Sequence, residues 1–277
     1  MRLSPTILLL LFCATSFAQE TEKTHSNKGK IYAFWGWNRG WYSNSDINFT
    51  GDNYDFTLNE VEATDRQSPL DMGVYFGITT ITIPQTNFRL GYFINDNIDI
   101  SFGVDHMKYV MVETQDTEIL GKIDTDSDYD GIYNGETLTT SQQFLKFEHT
   151  DGLNYLNFEI TYNKNILDLL KVKNNPTKIE LNYLVGFGLG AMMPRTNVTF
   201  MGRTRHDEFH FAGYGFGAKI GLNVTFFKFF FLRSEYKGGF IDMPDIRTTP
   251  DPIDRASQHF FFTQLNFNFG FAINPFN

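Results

Sequence analysis

The sequence contains little cysteine and few basic residues for its length. Of its 277 residues one is cysteine, Cys13, and 23 Lys and Arg stand against 32 Asp and Glu, so that the formal net charge is -9. A single cysteine cannot form an internal disulfide, which excludes a small disulfide-stapled scaffold. The acidic balance also lacks the basic surface that binds nucleic acid phosphates, so we predict no nucleic acid partner.

Long apolar runs are missing as well. No uninterrupted apolar stretch reaches the roughly 18 to 20 residues that a membrane-spanning helix requires, and this excludes a helical membrane protein. Aromatic residues are abundant by contrast, because they make up 17% of the chain and include 30 Phe, while 20% of the residues are charged. The fold must therefore accommodate many large aromatic side chains that are spread along the chain and not gathered in long apolar segments.

The first residues are typical of a secretory signal peptide. Arg2 supplies the positive start, Ile7 to Ala14 form a short apolar core, and Ser16-Phe17-Ala18 is a small-x-small cleavage site. We predict that residues 1–18 are the signal peptide.

Two further segments complete the predicted organisation. Residues 19–28 are polar and read as a flexible lead-in, and residues 29–277 form one domain. A lipoprotein box at Cys13 is a poor alternative, because bulky Phe12 precedes the cysteine where small residues are expected. Without Cys13 the mature chain has no disulfide, so its stability must come from burial or from a membrane.

Three segments in the second half of the chain alternate between bulky apolar residues and small or polar ones. They cover residues 179–190, 213–226 and 264–273. In the second segment, Tyr214, Phe216 and Ile220 lie on one parity, whereas glycines, Lys219 and Asn223 lie on the other. A period of two residues predicts β-strands with one bulky face and one small or polar face.

Such strands fit either a soluble sandwich or an outer-membrane barrel. In the sandwich the bulky face is the core, whereas in the barrel it meets lipid and the polar face lines the lumen. The segments match or exceed the roughly 9 to 11 residues needed to cross a bilayer, and strands of globular proteins centre near 5 to 6. Trp35, Trp37 and Trp41 in the first strand also suit an interfacial aromatic girdle. These features favour the barrel.

The connections alternate between short and long. We predict eight strands, near Ile31–Tyr42, Thr86–Ile94, Ile98–Val112, Gly152–Asn163, Lys178–Ala191, Gly213–Phe226, Phe229–Phe240 and Gln258–Ile273. The long polar connections are residues 43–85, 113–151, 192–212 and 241–257. Short periplasmic turns and long extracellular loops are typical of outer-membrane barrels. The predicted fold class is an all-β, antiparallel, up-and-down transmembrane β-barrel of about eight strands. Ten strands are the alternative, because Tyr54–Val61 and Val74–Ile83 also have strand character.

Over essentially its whole mature length the chain resembles small bacterial outer-membrane β-barrel proteins, through the signal peptide, the amphipathic strands and the aromatic-rich last strand, His259–Phe271. Gly91-Tyr92-Phe93 and Asp105-His106-Met107-Lys108-Tyr109 look most similar to uncharacterised barrels of Bacteroidota. Members usually end in an aromatic residue, whereas here Phe276 is penultimate. The resemblance implies a place in the bacterial outer membrane and contact with its lipids, and it implies no activity.

Charged residues fall on the face that the barrel encloses. The predicted lumen network consists of Arg89, Asp99, Asp105, Glu159, Glu180 and Lys219, with Arg233 and Glu235 as less certain members because the parity of their strand is unclear. An eight-stranded barrel is just wide enough for side chains to fill it, and each buried charge needs a partner. We therefore predict a closed polar lumen. A narrow pore and a ligand site inside the barrel are the alternatives.

The second long connection carries part of a calcium-loop pattern. Asp126, Asp128 and Asp130 alternate before Gly131, and alternate carboxylates can converge on one hard cation. Thr137 stands where such a loop has its bidentate acid. A calcium site and a solvated acidic loop tip both remain open, and we predict no other cofactor.

Histidines in the long connections are candidate catalytic or metal-binding residues. His149 and Asp151 lie where the second connection re-enters the barrel, and a rim histidine acts as general base in lipid-modifying barrel hydrolases. Spacing alone assigns no serine partner. His206 and His210 converge on a zinc ion only if they lie on a helix, whereas their surroundings read as a strand.

The sequence thus predicts a monomeric outer-membrane barrel with a structural or surface-binding role and an unidentified extracellular ligand. A membrane-embedded hydrolase of lipid or lipopolysaccharide, acting through His149, is one alternative and a narrow pore is another. A secreted soluble sandwich that binds a ligand is the third, and it predicts solubility without detergent.

Overall fold

The computed structural model describes residues 26–77, 79–80, 83–170, 179–203, 205–206 and 208–275, and the predicted signal peptide lies outside them. Two short helices occur in the described residues, α1 (Met72–Phe76) and α2 (Ile166–Leu169). Neither is long and apolar enough to cross a membrane. The strands are β1 (Ile31–Tyr42), β2 (Ser45–Gly51), β3 (Tyr54–Val61), β4 (Ala63–Thr64), β5 (Thr86–Phe93), β6 (Ile98–Met111), β7 (Asp116–Ile123), β8 (Gly131–Thr139), β9 (Leu145–Asn165), β10 (Ile179–Pro194), β11 (Asn197–Phe200), β12 (Gly213–Phe226), β13 (Phe230–Arg247) and β14 (Arg255–Ile273).

Eight of these strands close into a ring. Its order is β1, β5, β6, β9, β10, β12, β13 and β14, and β14 pairs back with β1 from Ile31↔Ile273 to Tyr42↔Phe262. Each ring strand neighbours the next ring strand along the chain, and every pairing in the ring is antiparallel. The predicted fold class, an all-β up-and-down barrel of eight strands, is confirmed.

The ten-strand alternative is wrong. Tyr54–Val61 does form a strand, β3, but it pairs with β2 and β7 outside the ring. Its apolar side chains Phe56 and Leu58 are buried in a protein core and do not face lipid. The start of the second proposed strand, residues 74–76, belongs to α1, and the Asp71 side chain caps this helix by accepting a hydrogen bond from the Val74 amide at 3.0 Å.

The outer face of the ring is apolar. On β14, Phe267 is 52% exposed whereas its neighbour Asn268 is fully buried. Other exposed outward-facing residues are Phe102, Phe158, Phe187, Phe216, Ile220 and Leu265. A soluble sandwich would bury such side chains between its sheets, so their exposure around a closed barrel identifies the lipid-facing belt. The chain spans the bacterial outer membrane with this ring.

Polar residues mark the extracellular edge of the belt. His106 on β6 and Asn154 on β9 face outward, with the His106 Nδ1 and Asn154 Oδ1 atoms 2.8 Å apart. The opposite, periplasmic end carries the short turns at residues 94–97 and 227–229. On β9 the membrane-spanning part therefore begins at Asn154, and residues 145–153 lie above the membrane.

Beyond this edge the chain forms a second layer of sheet. β2, β3, β7 and β8 extend the sheet from the upper end of β14, and we call these four strands the surface platform. β11 pairs with β9, and β4 pairs with β6. Much of the predicted loop sequence is therefore strand, because its apolar residues pack into one buried cluster. This extracellular cluster includes Ile47, Phe49, Phe56, Leu58, Tyr109, Ile119, Phe144, Phe147, Tyr155, Phe200, Phe260 and Phe262.

The interior of the protein has three layers. The extracellular cluster fills the upper part. A small apolar layer, which consists of Tyr32, Phe34, Phe93, Phe231 and Ala272, lies at the periplasmic end. Charged and amide side chains occupy the space between these two apolar layers.

Candidate functional site: the charged layer of the barrel interior

The charged layer consists of inward-facing side chains from five strands of the ring. Its members are Arg89 on β5, Asp105 on β6, Glu159 on β9, Lys219 on β12, and Arg233, Glu235 and Lys237 on β13, and each is at most 3% exposed. Because side chains alternate across a strand, the same period that puts bulky residues into lipid puts these groups into the lumen.

Glu159 lies at the centre of the layer. Its Oε2 atom accepts a hydrogen bond from Lys219 Nζ at 2.6 Å, and its Oε1 atom accepts one from Lys237 Nζ at 2.6 Å. The Arg89 guanidinium is 3.4 Å from the same Oε1 atom. Three cations therefore share one buried carboxylate.

Two further carboxylates complete the charge balance of the layer. Asp105 accepts from Arg89 Nη2 at 2.7 Å and from Lys237 Nζ at 2.6 Å. Glu235 pairs with Lys219 at 2.8 Å and lies 3.8 Å from Arg233. The network is thus a chain of bridges in which each cation contacts at least one anion, as buried charges require.

Glycines on β10 make room for these side chains. A Cβ atom at Gly188 would lie 2.7 Å from Glu159 Cγ, and one at Gly186 would lie 2.9 Å from Lys219 Cε. The small residues that alternate with bulky ones in this strand therefore leave the volume that the long charged side chains fill.

The structure places two of the predicted network residues elsewhere. Asp99 is buried nearer the periplasmic end, where its carboxylate accepts from Tyr32 Oη at 2.6 Å and from Asn163 Nδ2 at 2.5 Å. Glu180 is half-buried and lines a recess at the periplasmic mouth together with Lys30.

Lys237 is the member of the layer that sequence reasoning missed. It contacts both Asp105 and Glu159. Its position in the sequence could have indicated this, because Lys237 lies two and four residues after Glu235 and Arg233 and therefore faces the same side of the strand. With Asp99 included, the four cations Arg89, Lys219, Arg233 and Lys237 balance the formal charge of the four anions Asp99, Asp105, Glu159 and Glu235, and all eight are buried.

His149 lies in the extracellular cluster and is fully buried. Its Nδ1 atom is 2.9 Å from Thr196 Oγ1 and its Nε2 atom is 3.0 Å from the Gln258 side-chain nitrogen. The ring packs against Phe147 with centroids 5.0 Å apart. Asp151 is exposed to solvent. A lipid substrate cannot reach a histidine in this position, so the geometry does not support His149 as a general base.

The burial of His149 predicts a pH-dependent extracellular cluster. Desolvation lowers the pKa of this imidazole from 6.5 to about 3. The His149 imidazole binds a proton more readily when the cluster is open, so protonation favours the open state. The closed cluster therefore has its full stability above pH 6.5 and loses stability as the pH falls from 6.5 towards 3. We expect a loss of about 2 kcal/mol at pH 5 from this shift.

Hydrogen exchange of the amides in residues 141–153, corrected for intrinsic rates, measures this loss in the folded protein. His149→Gln, which cannot be protonated, is the matched variant, and its protection should change much less between pH 7 and pH 5. Equal pH dependence in the two proteins would contradict the prediction.

The acidic turn of the second connection is held by its own donors. Asp130 accepts hydrogen bonds from the Thr125 amide at 2.9 Å, the Asp126 amide at 2.8 Å and Ser127 Oγ at 3.0 Å. The hydrogen bond from the Thr125 amide is the main cause that lowers the pKa of Asp130 to about 2. This carboxylate therefore closes the turn between β7 and β8, with Asp128 at its tip.

Metal ligands do not converge in the part of the chain that the structure describes. No group of three or more His, Cys, Asp or Glu side chains there is placed to hold a metal ion. The rings of His206 and His210 are 6.3 Å apart, and His210 Nε2 lies 3.1 Å from Asp245.

Comparisons with known proteins give distant structural similarities. No protein-family model matches the chain, and no curated protein matches it by sequence. The outer membrane protein OprG from Pseudomonas aeruginosa is 8% identical over 89% of this chain and 97% of that chain, with a TM-score of 0.36. The outer membrane protease OmpT from Escherichia coli is 8% identical over 92% and 100%, with a TM-score of 0.27. Ail of Yersinia pestis is 8% identical over 87% and 99%, with a TM-score of 0.26. These values are too low for a property of any of the three to be transferred to this chain.

Proposed function

We propose that this chain is a closed, non-conducting outer-membrane barrel that holds a rigid β-sheet platform at the cell surface, where it has a structural or binding role. The observation that supports this proposal is that the charged layer and the extracellular cluster occupy the interior above the periplasmic recess. We further propose that the barrel is a monomer and that it belongs with the Bacteroidota barrels that its Gly91-Tyr92-Phe93 segment resembles.

Two barriers in series close the lumen. The charged layer occupies the middle, and its cations and carboxylates form ion pairs with one another. Above it the rings of the extracellular cluster pack face to face, with Tyr109 and Phe260 centroids 4.9 Å apart. Tyr155 on β9 reaches past β10 to donate a hydrogen bond to the Gly215 carbonyl on β12 at 3.0 Å. An ion would have to displace both layers to pass.

The surface platform is fastened to the barrel. Its first strand continues the ladder of β14, from Arg255↔Thr50 to Gln258↔Ile47. Asp254 joins two neighbouring parts of the extracellular region, because it accepts from Tyr54 Oη at 2.9 Å and from Arg203 Nη1 at 3.1 Å. A platform held by backbone ladders and buried polar contacts suits presentation of a fixed surface to an extracellular partner.

Planar-bilayer recording tests the closed lumen. We expect the purified protein to show no steady conductance at concentrations at which a porin gives clear channels. Glu159→Gln should also remain silent, because the extracellular cluster closes the barrel independently of the charged layer. Steady channels in the wild-type protein would overturn the proposal in favour of a narrow pore.

A further inference from the structure

The wall of the barrel is incomplete on one side from the upper edge of the belt. β5 begins at Thr86, which pairs with Trp37 and His106, whereas the flanking strands continue upward to Tyr42 and Met111. Above Thr86 β1 and β6 therefore meet without a complete strand between them. We call this line the β1–β6 seam.

Side chains bridge the seam directly. Asn38 Nδ2 donates a hydrogen bond to the His106 carbonyl at 3.2 Å, and Tyr42 Oη donates one to the Lys108 carbonyl at 2.7 Å. These two contacts replace some of the backbone ladder that β5 would have provided.

The chain that precedes β5 covers the outside of the seam. The Asn38 amide donates to the Gln85 carbonyl at 3.2 Å, and Lys108 Nζ donates to the Ile83 carbonyl at 2.7 Å. Further up, the Gly40 amide donates to Asp65 Oδ2 at 2.9 Å. The outward-facing Lys108 is buried as a result, although it lies on the outer surface of the ring.

Residues 69–77, which contain α1 and which we call the α1 segment, lie against the belt itself. The rings of Tyr75 and Phe76 pack on Trp37, with centroids 5.8 Å and 5.1 Å apart. Trp37 in turn contacts Trp35 and Phe269, which belong to the lipid-facing rows of β1 and β14. The segment is therefore continuous with the surface that meets lipid.

The free face of the α1 segment is strongly apolar. Leu70 is 85% exposed, Met72 is 68% exposed and Phe76 is also exposed. The exposed Asp71, which caps the helix, is the one charged residue of the segment, and no other occurs before Arg89 in the sequence. An exposed apolar surface of this kind is unfavourable in water but favourable at the boundary between headgroups and acyl chains.

We propose that the α1 segment is embedded in the outer leaflet of the membrane, with Leu70, Met72 and Phe76 in contact with lipid. The height of the segment agrees with this position, because Trp37 lies beside the His106 level that marks the upper edge of the belt. The segment then lies at the lower end of the β1–β6 seam and acts as a second, interfacial contact with the bilayer.

Site-specific labelling tests the proposal. Cys13 is the one cysteine of the sequence and lies in the predicted signal peptide, so a cysteine introduced into the mature chain can be labelled alone. The probe is the dye NBD at Met72→Cys, in phosphatidylcholine vesicles that contain lipids spin-labelled near the top of the acyl chain. Ile132→Cys on the surface platform is the aqueous control, because Ile132 is 72% exposed and thus close to Met72 in exposure. Ile220→Cys on the belt is the lipid control.

We expect the spin-labelled lipid to quench the dye at position 72 several-fold more than the dye at position 132, with an extent near that at position 220. Aqueous iodide should show the opposite ranking. Equal behaviour at positions 72 and 132 would place the segment in water and overturn the proposal. Protection at position 72 from both quenchers would show that protein covers the segment, which also overturns it. Leu70→Cys provides a second position if Met72→Cys does not fold.

Discussion

Glu159→Gln is expected to destabilise the folded barrel by about 3 to 5 kcal/mol. The substitution keeps the shape of the side chain but removes the charge that Lys219, Lys237 and Arg89 share. These cations are buried, so they cannot recover the loss by contact with water. The expected result follows from the uncompensated positive charge more than from the lost hydrogen bonds.

Urea unfolding in lipid vesicles, followed by tryptophan fluorescence, measures this change in the free energy of unfolding. Thr161→Val is the matched control, because Thr161 lies two positions further on the same inward face of β9, is fully buried, and its Oγ1 atom has no hydrogen-bond partner among the described residues. We expect that variant to change stability by less than about 1 kcal/mol. Comparable losses in both variants would show that the charged layer contributes only packing.

Ile220→Arg should cost about 2 to 4 kcal/mol in a bilayer. Ile220 is 59% exposed and lies near the middle of the outward-facing row of β12. Because this surface meets hydrocarbon, a guanidinium at this position loses its hydration, whereas in water the same change would be tolerated on so exposed a site.

Ile132→Arg makes the same chemical change at an exposed position of the surface platform, and we expect it to alter stability by no more than about 0.5 kcal/mol. The two variants are compared by the same unfolding measurement in vesicles. If Ile132→Arg proves as costly as Ile220→Arg, or if neither variant is destabilised, the assignment of lipid-facing and water-facing surfaces is wrong.

The charged layer and the extracellular cluster contribute to the protein in different ways. The layer depends on exact partners, because removal of one charge leaves others buried without compensation. The cluster depends on volume, since its rings fill the space above the lumen and keep His149 neutral by desolvation. Glu159→Gln and a fall in pH should therefore weaken different parts of the molecule, and hydrogen exchange resolves the two regions.

The alternation of residues in 179–190, 213–226 and 264–273 predicted strands with one bulky face and one small or polar face. The reason is that the alternation of side chains is a local property of a strand and does not depend on which strand lies beside it. Strand length distinguished the barrel from a sandwich. A strand that crosses a bilayer must reach a minimum length, whereas a strand in a soluble core need not. The eight ring strands and the inward parity of Arg89, Asp105, Glu159 and Lys219 could therefore be predicted.

Only the tertiary structure decided which of these side chains meet. Glu159 and Lys237 are 78 residues apart, and their contact depends on how β9 and β13 are placed around the ring, which no local pattern encodes. The same is true of Glu180, which shares the parity of the lumen but lies at its mouth. In the long connections Phe49 was read as part of a polar loop and Phe56 as part of that loop or of an additional barrel strand, because the strands against which they pack are distant in sequence. The alternation and the length of the strands thus determined that their bulky apolar side chains face lipid, because both are local properties of the chain. Long-range pairing determined that the surface connections fold into a platform and that the lumen closes.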